Sequence, residues 1–218
     1  MGYFRELPNL QYQSPYSNRI SSSTYVTAKN IFRRMKIRDD LKNVFNVFNK
    51  YEINDGDRPD TVARDLYGKS NLDWVVLITA NIINVYDEWP LSSKELYDYT
   101  VSKYGLTEIN KVKHYETKEI KNSRQVVILP AGKIVGADFS ISYYDGEIIN
   151  TTPSNTVRGV TNYEYETIEN EKKRSINILR PTYLQQFLND IRNEMTYKRS
   201  SQFVNDKLIK TENTRVTN

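Results

Sequence analysis

Residue types that could carry chemistry are scarce in this chain. His114 is the single histidine among 218 residues, and there is no cysteine. Without thiols the chain has no thiolate nucleophile, no disulfide and no Cys-ligated zinc or iron–sulfur centre, which fits assembly in a reducing cytoplasm. His114 stands in a Lys- and Glu-rich stretch that reads as an exposed strand. No Ser-His-Asp set suggests itself, and no HExxH, P-loop or GxGxxG string occurs.

Paired carboxylates are the other route to catalysis, because one can donate a proton while the other accepts one. Asp55 and Asp57, in Asn54-Asp55-Gly56-Asp57, are the nearest pair. The string starts like a calcium loop but lacks the later ligand positions and the closing Glu. A turn followed by a helix start accounts for it better. Asp39-Asp40 and Asp87-Glu88 read as turn or surface charge. The expectation is a protein without catalytic residues, metal, cofactor or small-molecule substrate.

Binding is the remaining class of function. The net charge is +4, and Lys and Arg are interleaved with Asp and Glu. The longest basic run, Lys172-Lys173-Arg174, follows Glu169 and Glu171. A nucleic-acid binder needs a basic stripe, so no nucleic-acid partner is expected. The longest apolar run, Trp74 to Ile78, is far too short to span a membrane, and the first residues lack the pattern of a signal peptide. Tyrosine is abundant, at 17 residues against 7 Phe and 2 Trp. It serves equally as a half-buried strand residue and as an amphipathic contact residue at interfaces. Tyr86, Trp89 and Arg58 are the candidate partner-interface residues. A loop Trp either anchors a partner or folds back as a lid on a small core, and the sequence leaves both open.

The elements that must position these residues can be read in order. Residues 1–30 are rich in Ser, Tyr, Asn and Pro and read as an extended arm that orders on a partner. Phe45, Val47, Tyr51 and Ile53 alternate as a strand with one buried side. Pro59 opens a helix that ends at Gly68, with Val62, Ala63, Leu66 and Tyr67 on one face. A core helix runs from about Leu72 to Ile82. A third covers Ser92 to Tyr104, with Ser92 or Ser93 as its cap, Glu95 to complete a capping box and a stop at Gly105. Beyond Gly105 the texture becomes β: Val126 to Leu129, then Phe139, Ile141 and Tyr143 up to an Asp145-Gly146 turn. Residues 150–160 read as a loop. Tyr163, Tyr165 and Thr167 alternate like a strand, and Ile176 and Ile178 follow the charged run 169–173 as its hairpin partner. Pro181 opens a last amphipathic helix through Leu184, Phe187, Leu188, Ile191 and Met195. From Tyr197 onward a polar arm is expected.

The order strand, Gly-Asp turn, helix, helix resembles a LysM module. Gly56-Asp57, Val62-Ala63, Leu77 and Asn81 stand at the module's spacing. LysM modules bind N-acetylglucosamine polymers, which makes peptidoglycan binding the alternative function. The expected closing strand is replaced by Val85–Leu91 and a further helix, which argues against sugar binding. A longer stretch is similar to the LysM-like baseplate wedge subunit of contractile-tailed, T4-like phages, the gene product fifty-three family. It is carried by Arg58-Pro59, Ala63, Tyr67-Gly68 and Trp74-Val75. Glu169-Asn170-Glu171-Lys172 with Arg174, Ile176 and Ile178 forms a second block, and Phe187, Asn189 and Asp190 a third.

That resemblance implies an α+β fold: a LysM-like β-α-α core with an added helix, a hairpin-rich region, a C-terminal amphipathic helix and extended terminal arms. The implied divisions are an arm over residues 1–30, a LysM-like domain over 31–105, a β-rich region over 106–180, and a helix with polar tail over 181–218. The implied role is structural, in the virion's tail baseplate, assembled in the host cytoplasm. The implied partners are other wedge subunits, including the helical wedge core and the sheath-initiating subunit, with central hub proteins and a copy of the chain in the next wedge beside them.

Overall fold

A computed structural model describes residues 2–13, 25–37, 46–144, 149–151 and 156–211. Two compact units emerge, one from Met1–Trp89 with Ser175–Asn218, the other from Pro90–Arg174. The chain enters the first unit through α1 (Tyr3–Glu6), β1 (Asn9–Gln13), β2 (Tyr25–Lys29), β3 (Phe48–Glu52), α2 (Pro59–Tyr67), α3 (Asp73–Ala80) and α4 (Val85–Glu88). The second unit holds α5 (Ser93–Tyr104), β4 (Val112–Thr117), β5 (Ile120–Lys121), β6 (Val127–Leu129), β7 (Ile134–Val135), β8 (Ser142–Tyr144), β9 (Ile149–Thr151), β10 (Val157–Thr161) and α6 (Asn162–Arg174). The chain returns to the first unit as β11 (Ser175–Leu179), α7 (Leu184–Glu194), β12 (Phe203–Asn205) and β13 (Leu208–Lys210). The mixed α and β content agrees with an α+β class.

The first unit's core is built on α3. That helix is apolar nearly all round, so it must be enclosed, and Trp74, Val75, Val76 and Thr79 are buried. Pro59 supplies the first turn of α2, where a missing N–H costs nothing. Gly68 ends that helix at φ +71°, its N–H donating to Arg64 O at 2.8 Å. The expected helix starting near Leu72 begins instead as a 3-10 turn, Ser70–Leu72, and ends at Asn81 in the left-handed region. β3 pairs antiparallel with β11, from Phe48 opposite Leu179 to Glu52 opposite Ser175. Phe48 is buried, although the alternation placed it on the outer side. The strand starts there out of a turn at residues 46–47, so the pleat does not yet set the side. Phe45 lies outside the described residues.

α7 lays Leu184, Phe187, Leu188, Ile191 and Met195 on this core. Phe187 stacks on Trp74 at 6.4 Å between ring centroids, and Tyr3 closes on Trp74 at 5.7 Å. The Tyr67 hydroxyl donates to Leu179 O at 2.8 Å, and burial raises its pKa. The segments of the family resemblance that lie in this unit therefore meet as packing partners.

The expected extended arms are corrected by a four-stranded sheet in the order β12-β13-β1-β2. β1 pairs antiparallel with β2 and parallel with β13, Leu10 opposite Ile209. The described parts of the two arms thus order against each other within the chain. The Arg33 guanidinium reinforces the join by donating to the carbonyls of Met195 (3.2 Å), Thr196 (3.0 Å) and Glu194 (3.3 Å). These are the carbonyls a helix end leaves without partners, and a cation there complements the dipole of α7. Arg192 pairs with the buried Glu6 carboxylate at 2.9 Å, fixing α1 on α7.

The second unit corrects two expectations. Residues 163–174 form a helix, α6, and not a hairpin. Tyr163, Tyr165 and Thr167 alternate, but Glu166 and Asn170 are the buried positions, four residues apart on one helical face. A capping box starts the helix: Thr161 N donates to Glu164 Oε2 at 2.9 Å and Glu164 N to Thr161 Oγ1 at 3.2 Å. The N–H groups of Asn162 and Tyr163 find the carbonyls of Lys111 and Ile109. Within the expected loop at 150–160, Val157–Thr161 is the strand β10, paired with β4, and Val160 is fully buried. At Gly159 a Cβ would sit 3.1 Å from the Val112 side chain, tighter than an ordinary contact. α5 begins with the expected capping box, and of the two serines it is Ser92 that pairs with Glu95. β8 and β9 pair as a hairpin, while the Asp145-Gly146 turn lies outside the described residues.

Candidate partner interface

Among the described residues, none of the sequence's chemical candidates comes together as a reactive site; Asp39 and Asp40 lie outside them. His114 is half-buried on β4, not exposed, and its Nε2–H donates to Glu116 Oε1 at 3.0 Å. This bond, with Arg158 at 3.6 Å, holds the Glu116 carboxyl below its usual range. Asp57 accepts from the Asn54 side chain at 3.0 Å, as a turn requires. Among the described residues no cluster of three or more His, Cys, Asp or Glu is placed to hold a metal ion. Among them, too, no helix is long and apolar enough to cross a membrane.

The three interface candidates are placed differently. Tyr86 is 91% exposed on α4. The turn beneath it is built to hold it out: the Asn84 side chain accepts from Tyr86 N at 3.2 Å, and Glu88 accepts from Ile83 N at 2.8 Å. Ile83 is exposed beside it in sequence, so this tip offers two apolar side chains. Arg58 is exposed at the N-cap of α2, paired with Asp60 at 3.2 Å. Such a pair is screened and weak, so the guanidinium is available to a partner at little cost. Trp89 turns inward. It is buried, and its indole Nε1–H donates to Asp57 O at 2.8 Å. The lid alternative is the one the geometry takes. Trp89 is thereby tied to the residue next to Arg58, while Tyr86 points to solvent.

Sequence reasoning missed Ile31 and Phe32, which are exposed beyond β2, and Phe4 on α1. Ile31 and Phe32 are adjacent apolar residues in a polar stretch, and that contrast was the available signal. In the second unit Ile134, Tyr144 and Ile149 are likewise exposed. Among the described residues of that unit the buried apolar side chains are few: Leu96, Ile109, Leu129 and Val160. Polar groups fill the remainder. The Glu166 carboxylate is bound by Lys103 at 2.9 Å and the Tyr104 hydroxyl at 2.7 Å, with Lys113 at 3.8 Å. Burial pushes its pKa up, but these partners outweigh burial and leave it lowered. Lys103 is raised in turn, chiefly by its hydrogen bond to Glu166. Lys113 lies 3.6 Å from the Tyr165 ring centroid. The arrangement joins α5, α6 and β4 and leaves no open reactive atom.

The pattern is a scaffold that presents aromatic and aliphatic side chains at separate places. Comparison with known proteins agrees. Residues 7–193 match the family described as base plate wedge protein 53. The baseplate wedge protein gp53 of Enterobacteria phage T4 is 24% identical over 144 residues, covering 65% of this chain and 70% of that protein. The match spans most of the chain, and the chain belongs to the base plate wedge protein 53 family.

Proposed function

We propose that the chain is a structural subunit of a phage tail baseplate wedge, joining wedge subunits and neighbouring wedges as the baseplate assembles. The family match over residues 7–193 carries this reading. Its place is the virion tail baseplate, and its partners are other baseplate components. The finer assignments, to the helical wedge core, the sheath-initiating subunit and hub proteins, rest on the family resemblance. Tyr86 and Arg58 are the residues we assign to partner contact, and Trp89 supports them from inside. The work is done by surfaces, and no step of catalysis is assigned to it.

A LysM-like scaffold is part of the same proposal. β3, α2 and α3 are followed, after residues 90–174, by β11 pairing antiparallel with β3. This supports a β-α-α-β module whose closing strand arrives late in the chain, with the second unit inserted before it. The module's role here is to hold the surfaces.

The test is co-expression with the neighbouring wedge proteins, followed by mass determination of the complex. A stoichiometric complex containing the chain is expected. A chain that stays monomeric with each of them overturns the proposal.

A further inference from the structure

The first unit gathers basic side chains that the sequence keeps apart. Arg5, Lys29, Arg192 and Lys207 line one small pocket of about 50 Å³. They come from α1, β2, α7 and the turn between β12 and β13, so no basic run marks them. The pocket sits at the end of the sheet where Asn9 pairs with both Lys29 and Leu208. β1 and β13 run away from it, to Gln13 and Lys210. Its frame is pinned by the backbone: Asn9 N donates to Lys207 O at 2.7 Å, and Asn30 N to Pro8 O at 2.9 Å. Leu7 and Met195, both buried, supply an apolar lining.

One carboxylate stands among these cations, and it is already engaged. Glu6 accepts from Arg192 through both oxygens, from Nε at 2.9 Å and from Nη2 at 3.3 Å. Lys29 Nζ donates to Leu7 O at 2.9 Å, a neutral acceptor that leaves the ammonium charge uncompensated. The Arg5 and Lys207 side chains are exposed and form no ion pair among the described residues. Four cations thus meet one carboxylate, a surplus of three positive charges. Like charges gathered round one pocket repel, and an apolar lining strengthens both that repulsion and the attraction for an anion. A water takes about 30 Å³ of the liquid, so the pocket admits only a group of a few atoms. A carboxylate on a side-chain arm fits both the charge and the size, and guanidinium and ammonium groups together can satisfy its two oxygens.

We propose that this pocket receives the carboxylate of an Asp or Glu side chain from another baseplate component. The proposal rests on the wedge reading above and adds to it a site and the chemistry of its ligand. Such a contact fixes register between subunits and steers their encounter.

A carbodiimide joins an amine to a carboxylate as an amide and takes up the water released as a urea. Applied to the co-expressed wedge complex, it reads the contact on the unmodified full chain. Mass spectrometry of the crosslinked peptides should show Lys29 or Lys207 joined to an Asp or Glu of another baseplate subunit. Absence of that link, or links from both lysines only to carboxylates of this chain, overturns the proposal. As a second measurement, Arg5→Glu combined with Lys207→Glu, both at exposed sites, should weaken incorporation into the complex about tenfold with thermal stability unchanged. Undiminished incorporation of that variant overturns the pocket and leaves the wedge role standing. Inorganic phosphate that raises the melting temperature of the isolated chain, with no carboxylate crosslink in the complex, would show a site for free anions and likewise overturn the proposal. Failure of the unmodified chain to enter any complex overturns both the pocket and the wedge role.

Discussion

The Asn170 carboxamide pairs with both backbone groups of Leu91: its Oδ1 accepts from Leu91 N at 2.8 Å and its Nδ2 donates to Leu91 O at 2.9 Å. Asn170 is only 3% exposed, so its carboxamide has no water as a substitute for these two bonds. The contact fixes the chain just ahead of α5 onto α6. Asn170→Ala should cost about 1–3 kcal/mol, the usual penalty for leaving buried polar groups unpaired. Asn170→Asp should cost more, since its carboxylate would face the Leu91 carbonyl. Denaturant unfolding of the full chain checks both, and an unchanged midpoint for either variant would contradict the assignment.

Trp89 and Tyr86 should separate stability from assembly. Trp89→Ala removes a buried ring and its bond to Asp57, and should cost about 3–5 kcal/mol. Tyr86→Ala should stay within about 0.5 kcal/mol in stability, as exposed positions do. Its effect should appear in wedge incorporation. A thermal melt of each variant and a pull-down with the wedge proteins read the two quantities. A destabilised Tyr86→Ala chain would show that the α4 tip packs against the fold.

The Lys103–Glu166 network should set the pH limits of the second unit. Glu166 has a lowered pKa in the folded chain, so its contribution is present above the ordinary carboxylate value of 4.5 and is lost as pH falls through the folded value. Lys103 has a raised pKa, so its contribution is complete below 10.5 and is lost as pH rises through the folded value. The contribution of this pair should be constant between these limits. Glu166→Gln should reduce the acid-side slope and leave the part owed to Glu116, whose carboxyl is also lowered, which urea titrations from pH 3 to pH 7 would reveal.

Arg33 should matter far from its own position. Arg33→Ala frees three carbonyls at the end of α7 and releases the Tyr197 ring, which lies 5.2 Å from the guanidinium. A loss of about 1–3 kcal/mol is expected, with amide exchange quickening in α7 and β13 together. Exchange that quickens only near residue 33 would argue against the coupling.

Local chemistry was legible before the fold was known. Pro59, Gly68, the capping box of α5 and Gly105 mark helix ends through bonds made within four residues, and each stands where expected. Thr161 and Glu164 carry the same signal for α6, but the Tyr-Glu-Tyr repeat behind them has a period of two and masked it. What depends on distant pairing was not legible. β11 closes on β3 across the whole second unit, and β13 meets β1 from the other end of the chain. No local pattern encodes either partner. The inward turn of Trp89 was undecidable for the same reason, since its acceptor, Asp57 O, lies on another loop. Tyr86 and Arg58 were found as exposed residues; the basic pocket exists only once Arg5, Lys29, Arg192 and Lys207 are brought together.

The most direct measurement is electron microscopy of tail intermediates from phage unable to make this chain. The account predicts wedge components that accumulate without joining into baseplates, and restoration when the chain is supplied. Complete baseplates formed in its absence would contradict a structural role in the wedge.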